Sequence, residues 1–124
     1  MRLLLDTNAF LWWREGSPAL PANVADQIAS AENDIAVSIA SCWEIGIKRA
    51  IGKLRFVQDF AAVMSEEEFA LLPITYPHLD ALATLPLHHR DPFDRMLIAQ
   101  SIAEDMPVIT NDRSFSLYDV QTFW

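Results

Sequence analysis

The stretch Leu3-Leu4-Leu5-Asp6-Thr7-Asn8 decides how the fold is read. Three apolar residues ended by a carboxylate and two short polar side chains describe a buried strand that leaves its sheet at the C-terminal end. The pattern recurs in Pro107-Val108-Ile109-Thr110-Asn111-Asp112, where a short apolar run again gives way to hydroxyl, amide and acid. Ile35-Ala36-Val37-Ser38-Ile39 reads as a second strand, and Val120-Gln121-Thr122-Phe123 as an edge strand. Leu71-Leu72-Pro73-Ile74-Thr75 is weaker, because proline cannot donate to a ladder. Between these runs, apolar residues at three- and four-residue spacing predict helices from about Pro21 to Ala31, Cys42 to Ile51, Val57 to Phe69, Pro77 to Leu85 and Pro92 to Glu104. A further helix starts near Ala9-Phe10-Leu11. Alternation of this kind predicts an α/β fold with a mostly parallel central sheet flanked by helices on both faces, since parallel strands need crossover connections. In open sheets of that type ligands bind beyond the carboxyl ends of the strands.

With 124 residues, 52% of them hydrophobic, the chain suffices for one domain over 1–124 with its own core, and is too short for two. It contains no internal repeat, low-complexity tract or Gly/Ser linker. Cys42 is the only cysteine, which excludes an intrachain disulfide and a thiolate zinc site and suits a reducing, cytoplasmic setting. The N-terminal apolar run is too short for a signal segment, and no long uncharged apolar stretch follows, so no membrane partner is expected. The formal net charge of −8 at first opposes nucleic-acid binding. Two features answer it: acids that hold a cation have their charge offset, and the basic residues are grouped. Lys48, Arg49, Lys53 and Arg55 form one group, and His88, His89, Arg90 and Arg95 another.

Several acids fall where strands end or helices begin. Asp6 follows the first strand, where it serves equally as a metal ligand or as an N-cap. Glu44 lies in Ser41-Cys42-Trp43-Glu44, which also fits a capping box, with Lys48 placed for a helical ion pair. In Asp91-Pro92-Phe93-Asp94, Asp91 suits the N-cap and Pro92 the first helical position, leaving Asp94 in the first turn to face the other acids. Asp112 follows the fourth strand and also suits a turn. Each has a local role open to it, but local roles do not explain why all should reach one sheet edge. Crowded carboxylates repel unless a cation intervenes, which points to a hard ion, Mg²⁺ or Mn²⁺.

On these residues the chain resembles PIN domains, and in particular the VapC-like toxins of toxin–antitoxin pairs. Leu4-Leu5-Asp6-Thr7-Asn8 is similar to the family's opening motif, and Ser41 to Lys48 followed by Gly52-Lys53-Leu54 to a second acidic motif. Leu87 to Arg95 followed by Ile98-Ala99-Gln100, and Thr110-Asn111-Asp112 with Phe115, complete a resemblance running through nearly the whole chain. It implies a Rossmann-like α/β sandwich and a metal-dependent endoribonuclease. Asp6, Glu44 and Asp94 would be the main acids, Asp112 a fourth, and Asp91 either a ligand or only a cap. It also implies an RNA substrate, frequent homodimerisation and a cognate antitoxin that covers the site.

The chemistry expected of such a pocket is hydrolysis by a water made acidic by one or two ions, about 3.5–4 Å apart if two. Thr7, Asn8 and Thr110 would orient water or acids without adding charge. Lys48, His89, Arg90 and Arg95 are candidates for phosphate contacts, or else for surface ion pairs. Trp12, Trp13 and Trp43 are expected in cores or interfaces rather than on bases. A receiver-like or phosphatase-like Mg²⁺-binding phosphoryl-transfer domain is the alternative, although Asp6-Thr7-Asn8 lacks the paired acids of an Asp-x-Asp motif. Metal-independent cleavage by His88 and His89 is a further one, opposed because adjacent side chains rarely converge on one atom.

Overall fold

Leu3, Leu4 and Leu5 are all fully buried, as a central strand covered on both faces requires. The structure, a computed structural model, describes residues 1–56 and 58–124, so the expected helix start at Val57 lies outside the described residues. The elements follow the order β1 (Arg2–Leu5), α1 (Thr7–Glu15), α2 (Ala22–Ala29), β2 (Asp34–Ser38), α3 (Ile39–Ala50), α4 (Phe60–Glu67), β3 (Ala70–Leu72), α5 (Tyr76–Thr84), α6 (Pro92–Glu104), β4 (Val108–Ile109), a 3-10 turn (Arg113–Leu117) and β5 (Thr122–Phe123). The sheet has the order β3-β2-β1-β4-β5, and all its pairings are parallel rather than mostly so. Leu5 is opposite Val37 on one side and Ile109 on the other, and β5 forms one edge.

Alternation along the strands divides the core in two. Leu3 and Leu5 join Phe10, Val24, Val37, Ile45 and Val63 on one face of the sheet. Leu4 joins Leu97, Ile98, Val108 and Phe115 on the other, under α6. Both faces of β1 are therefore dry, and its triple leucine has no polar alternation for that reason. Among the described residues no helix is long and apolar enough to cross a membrane.

The expected elements are present with shifted ends. β2 stops at Ser38, whose Oγ accepts from the Ala40 amide at 3.0 Å, so α3 begins at Ile39 instead of Cys42. The Ser41-x-x-Glu44 capping box is thereby corrected: Ser41 lies inside the helix, fully buried, and Ser38 is the cap. β3 ends at Leu72, before the proline that would break its ladder. α4 starts at Phe60 behind Asp59, which accepts from the Ala61 amide at 3.1 Å.

The strand order reverses between β1 and β4, because β2 and β3 lie to one side and β5 to the other. Such a reversal opens a crevice at the C-terminal edge, since the connections on either side run away from it. A receiver-like domain has the order 2-1-3-4-5, so the topology differs from the receiver-like form of the phosphoryl-transfer alternative.

Candidate active site

Asp6 and Thr110 follow the two strands that flank the reversal. Asp6 is buried, and both its oxygens are engaged: Oδ1 accepts from the Ala9 amide at 2.7 Å, capping α1, and Oδ2 accepts from Thr110 Oγ1 at 2.5 Å. Its two sequence readings are thus compatible, with cap and cluster acid in one side chain. Thr110 Oγ1 in turn accepts from the Asp112 amide at 3.0 Å, and Asp112 Oδ1 caps the 3-10 turn through the Ser114 amide at 2.9 Å.

Glu44 reaches the same edge from α3, only 8% exposed. Thr7 Oγ1 donates to its Oε1 at 2.8 Å and lies 3.0 Å from the hydroxyl of Ser41, while Lys48 Nζ is 3.0 Å from Oε2. Asp91 is the N-cap of α6, its Oδ1 accepting from the amides of Phe93 and Asp94 at 2.9 and 3.0 Å. Asp94 occupies the first turn of that helix, and its Oδ2 is 3.7 Å from His89 Nε2. Asn8 is exposed at the start of α1.

These acids feel one another. Burial raises the Asp6 pKa to about 6 against the lowering effect of its bonds from Thr110 and Ala9, and the charges of Asp112 and Glu44 add to the rise. Asp94 is pushed up to about 7, first by burial and then by the charges of Asp91, Asp112, Glu44 and Asp6. Electrostatic coupling across four different elements marks one shared pocket. Lys48 on Glu44 and His89 near Asp94 supply the only basic contacts to the cluster among the described residues. The donors are oxygens and their crowding is relieved by positive charge, so the residues fit a hard divalent cation. Among the described residues no three Asp, Glu, His or Cys side chains close into a ready-made cage. In this arrangement Thr7 donates to Glu44, and Thr110 and Ala9 donate to Asp6.

The basic candidates divide. Lys48 is half-exposed beside Glu44, and Arg90 is exposed near Leu82, Leu87, Pro92 and Arg95 around a cavity of about 500 Å³. Arg95 instead holds the 85–90 loop, donating to the carbonyl of Pro86 at 2.8 Å and to the Tyr118 hydroxyl at 3.0 Å. His89 Nδ1 is 2.8 Å from that same hydroxyl, while the His88 ring packs edge-on against the Tyr118 ring. Sequence reasoning missed Tyr118, which lies in Leu117-Tyr118-Asp119 without any motif to mark it. It also missed Ser41, read as a cap. Trp12 and Trp13 are partly buried against the core as expected, but Trp43 is 62% exposed, its ring edge-on to Phe93 at 5.2 Å.

A doubly wound parallel sheet with acids at its reversal defines a Rossmann-like α/β domain. Residues 3–121 match the PIN domain family, and the chain belongs to that family of nucleases. No curated protein matches the sequence. Among solved structures, VapBC2 from Rickettsia felis, bound to a DNA fragment from its promoter, is similar at 15% identity and a TM-score of 0.70, over 99% of this chain and 98% of that one. VapBC-1 from nontypeable Haemophilus influenzae is similar at 18% identity and 0.70, over 99% and 97%. FitAcB from Neisseria gonorrhoeae is similar at 20% and 0.67, over 98% and 96%. At these identities the likeness is one of fold.

Proposed function

We propose that the chain is a Mg²⁺- or Mn²⁺-dependent endoribonuclease and the toxin of a toxin–antitoxin pair. The observation that carries this reading is the coupling of Asp6, Glu44, Asp94 and Asp112, delivered from four separate elements to the reversal of the sheet. These four acids would hold one or two ions. Held there, such an ion would supply an acidified water and offset charge on the departing oxygen. The hydroxyls of Thr110 and Thr7 orient Asp6 and Glu44 without adding charge, and Asp91 holds the start of α6 so that Asp94 faces inward. Asn8, exposed at the start of α1, would contact water or substrate. Of the basic candidates, the exposed Lys48 and Arg90 would meet RNA phosphates, with Lys53 and Arg55 further along the group that Lys48 begins, whereas Arg95 and His89 are held within the 85–90 loop and its Tyr118 contact.

The neighbouring folds come from VapBC and FitAcB complexes, which supports a protein antitoxin as partner. An antitoxin covering the acids would neutralise the enzyme, and a homodimer is its proposed assembly. The test is cleavage of a mixed single-stranded and transfer RNA pool by the purified chain with Mg²⁺, Mn²⁺ or EDTA, beside Asp6→Asn and Asp94→Asn. Each variant's fold is checked by circular dichroism. Metal-requiring cleavage that both variants lose is the expected result; cleavage in EDTA, or cleavage unchanged in the variants, would overturn the proposal.

A further inference from the structure

The Tyr118 hydroxyl is a hydrogen-bond junction. It accepts from the amides of His88 and His89, each at 3.2 Å, and from Arg95 Nη1 at 3.0 Å. Its fourth neighbour is His89 Nδ1 at 2.8 Å. A phenol oxygen has two lone pairs and one proton, so with three N–H donors converging on it, a further donor would find no acceptor. The Tyr118 proton must therefore go to Nδ1, the acceptor in this group, and the neutral His89 ring carries its own proton on Nε2.

That Nε2 is buried and has no hydrogen-bond partner among the described residues. It lies 3.7 Å from Asp94 Oδ2, somewhat beyond hydrogen-bond length. A buried donor left without an acceptor is costly, and a small movement of the carboxylate would satisfy it. The same junction ties the 85–90 loop to Arg95, the residue after Asp94, so the imidazole and the carboxylate are held to one frame.

We infer that His89 is a positioning residue for Asp94: Tyr118 selects its Nε2–H tautomer, and that N–H donates to Oδ2 and so fixes the orientation of the carboxylate. The role rests on the metal-site reading above and extends it to groups outside the acidic set. A histidine oriented by one neighbour and orienting a ligand in turn is the usual way a metal site acquires its geometry from outside its ligands.

The experiment has two parts on the purified 124-residue chain. Long-range ¹H–¹⁵N correlation of the metal-free protein reads the His89 tautomer, with the proton expected on Nε2; a proton on Nδ1 would overturn the assignment. Calorimetric titration with Mn²⁺ then compares the unmodified chain with His89→Leu, His89→Gln and Tyr118→Phe. His89→Leu and Tyr118→Phe are expected to weaken Mn²⁺ binding roughly tenfold or more. His89→Gln, which keeps an N–H donor near the Nε2 position, is expected to retain most of the affinity. Affinity unchanged in His89→Leu would overturn the positioning role while leaving the metal site intact. No Mn²⁺ binding by the unmodified chain would overturn both. Should His89→Leu fail to fold, the tautomer and the Tyr118→Phe titration decide.

Discussion

Asp94 sits at an electrostatic cost: half-shielded from water, and faced by Asp91, Asp112, Glu44 and Asp6, it holds its proton up to about pH 7. In the unfolded chain its pKa returns to about 3.8. Between those values the folded state binds a proton that the unfolded state has lost, so stability falls as pH rises through that window. Asp6 acts in the same direction between about 3.8 and about 6. Asp94→Asn, which removes the charge and keeps the shape, is expected to stabilise the metal-free protein at pH 8 by on the order of 2 kcal/mol. At pH 4 it should have little effect. Thermal melts in EDTA at the two pH values measure this, and an unchanged or lower Tm at pH 8 would show that the carboxylate is not strained. The acids themselves are legible as residues, because each stands where an apolar run ends or a helix begins. Tyr118 is not, since its importance lies in meeting His89 and Arg95, which are distant along the chain.

At the scale of elements, α6 shows how a cap serves a site. Asp91 and Pro92 start the helix, and the amides that Asp91 satisfies are those of Phe93 and of Asp94 itself. Asp91→Ala is expected to lower stability by about 1 kcal/mol as the cap is removed. It should also lower the Asp94 pKa, because the Asp91 charge contributes to raising it. Urea unfolding measures the first effect. The second should appear as a downward shift in the pH window over which the metal-free protein loses stability; an unmoved window would contradict the coupling. The start of α6 is readable because Asp-Pro-x-Asp has one efficient structural use. The start of α3 is not, because Ile35 to Ile39 is a continuous run of strand-compatible residues and nothing local says that Ser38 will turn to cap a helix.

For the whole molecule, the net charge of −8 conceals a division: four of the nine Lys and Arg residues fall at 48, 49, 53 and 55. Lys48 is paired with Glu44, and Arg49 donates to the Phe56 carbonyl at 2.8 Å, whereas Lys53 and Arg55 are exposed without an acidic partner among the described residues. α3 connects this group to the acidic pocket, and RNA phosphates are expected to follow it. Lys53→Ala with Arg55→Ala should weaken RNA binding and flatten its salt dependence, by roughly 0.7 in the log–log slope for each single-strand phosphate that is no longer neutralised. Fluorescence anisotropy across a salt series, with metal withheld to prevent cleavage, measures it. A slope identical to that of the unmodified chain would place the RNA elsewhere.

Sequence by itself determined the α/β class, the five strand runs, most of the helices and the acids at their junctions, because apolar periodicity, caps and strand exits are local properties of the chain. Tertiary structure alone decided that β1 and β4 are neighbours, which places Asp6 beside Thr110 across more than a hundred residues. It also decided which acids share a field and which histidine nitrogen faces them. Hydrogen bonds and charge–charge coupling depend on distance in space, and only the packing of the two cores onto the sheet brings those groups within reach of one another.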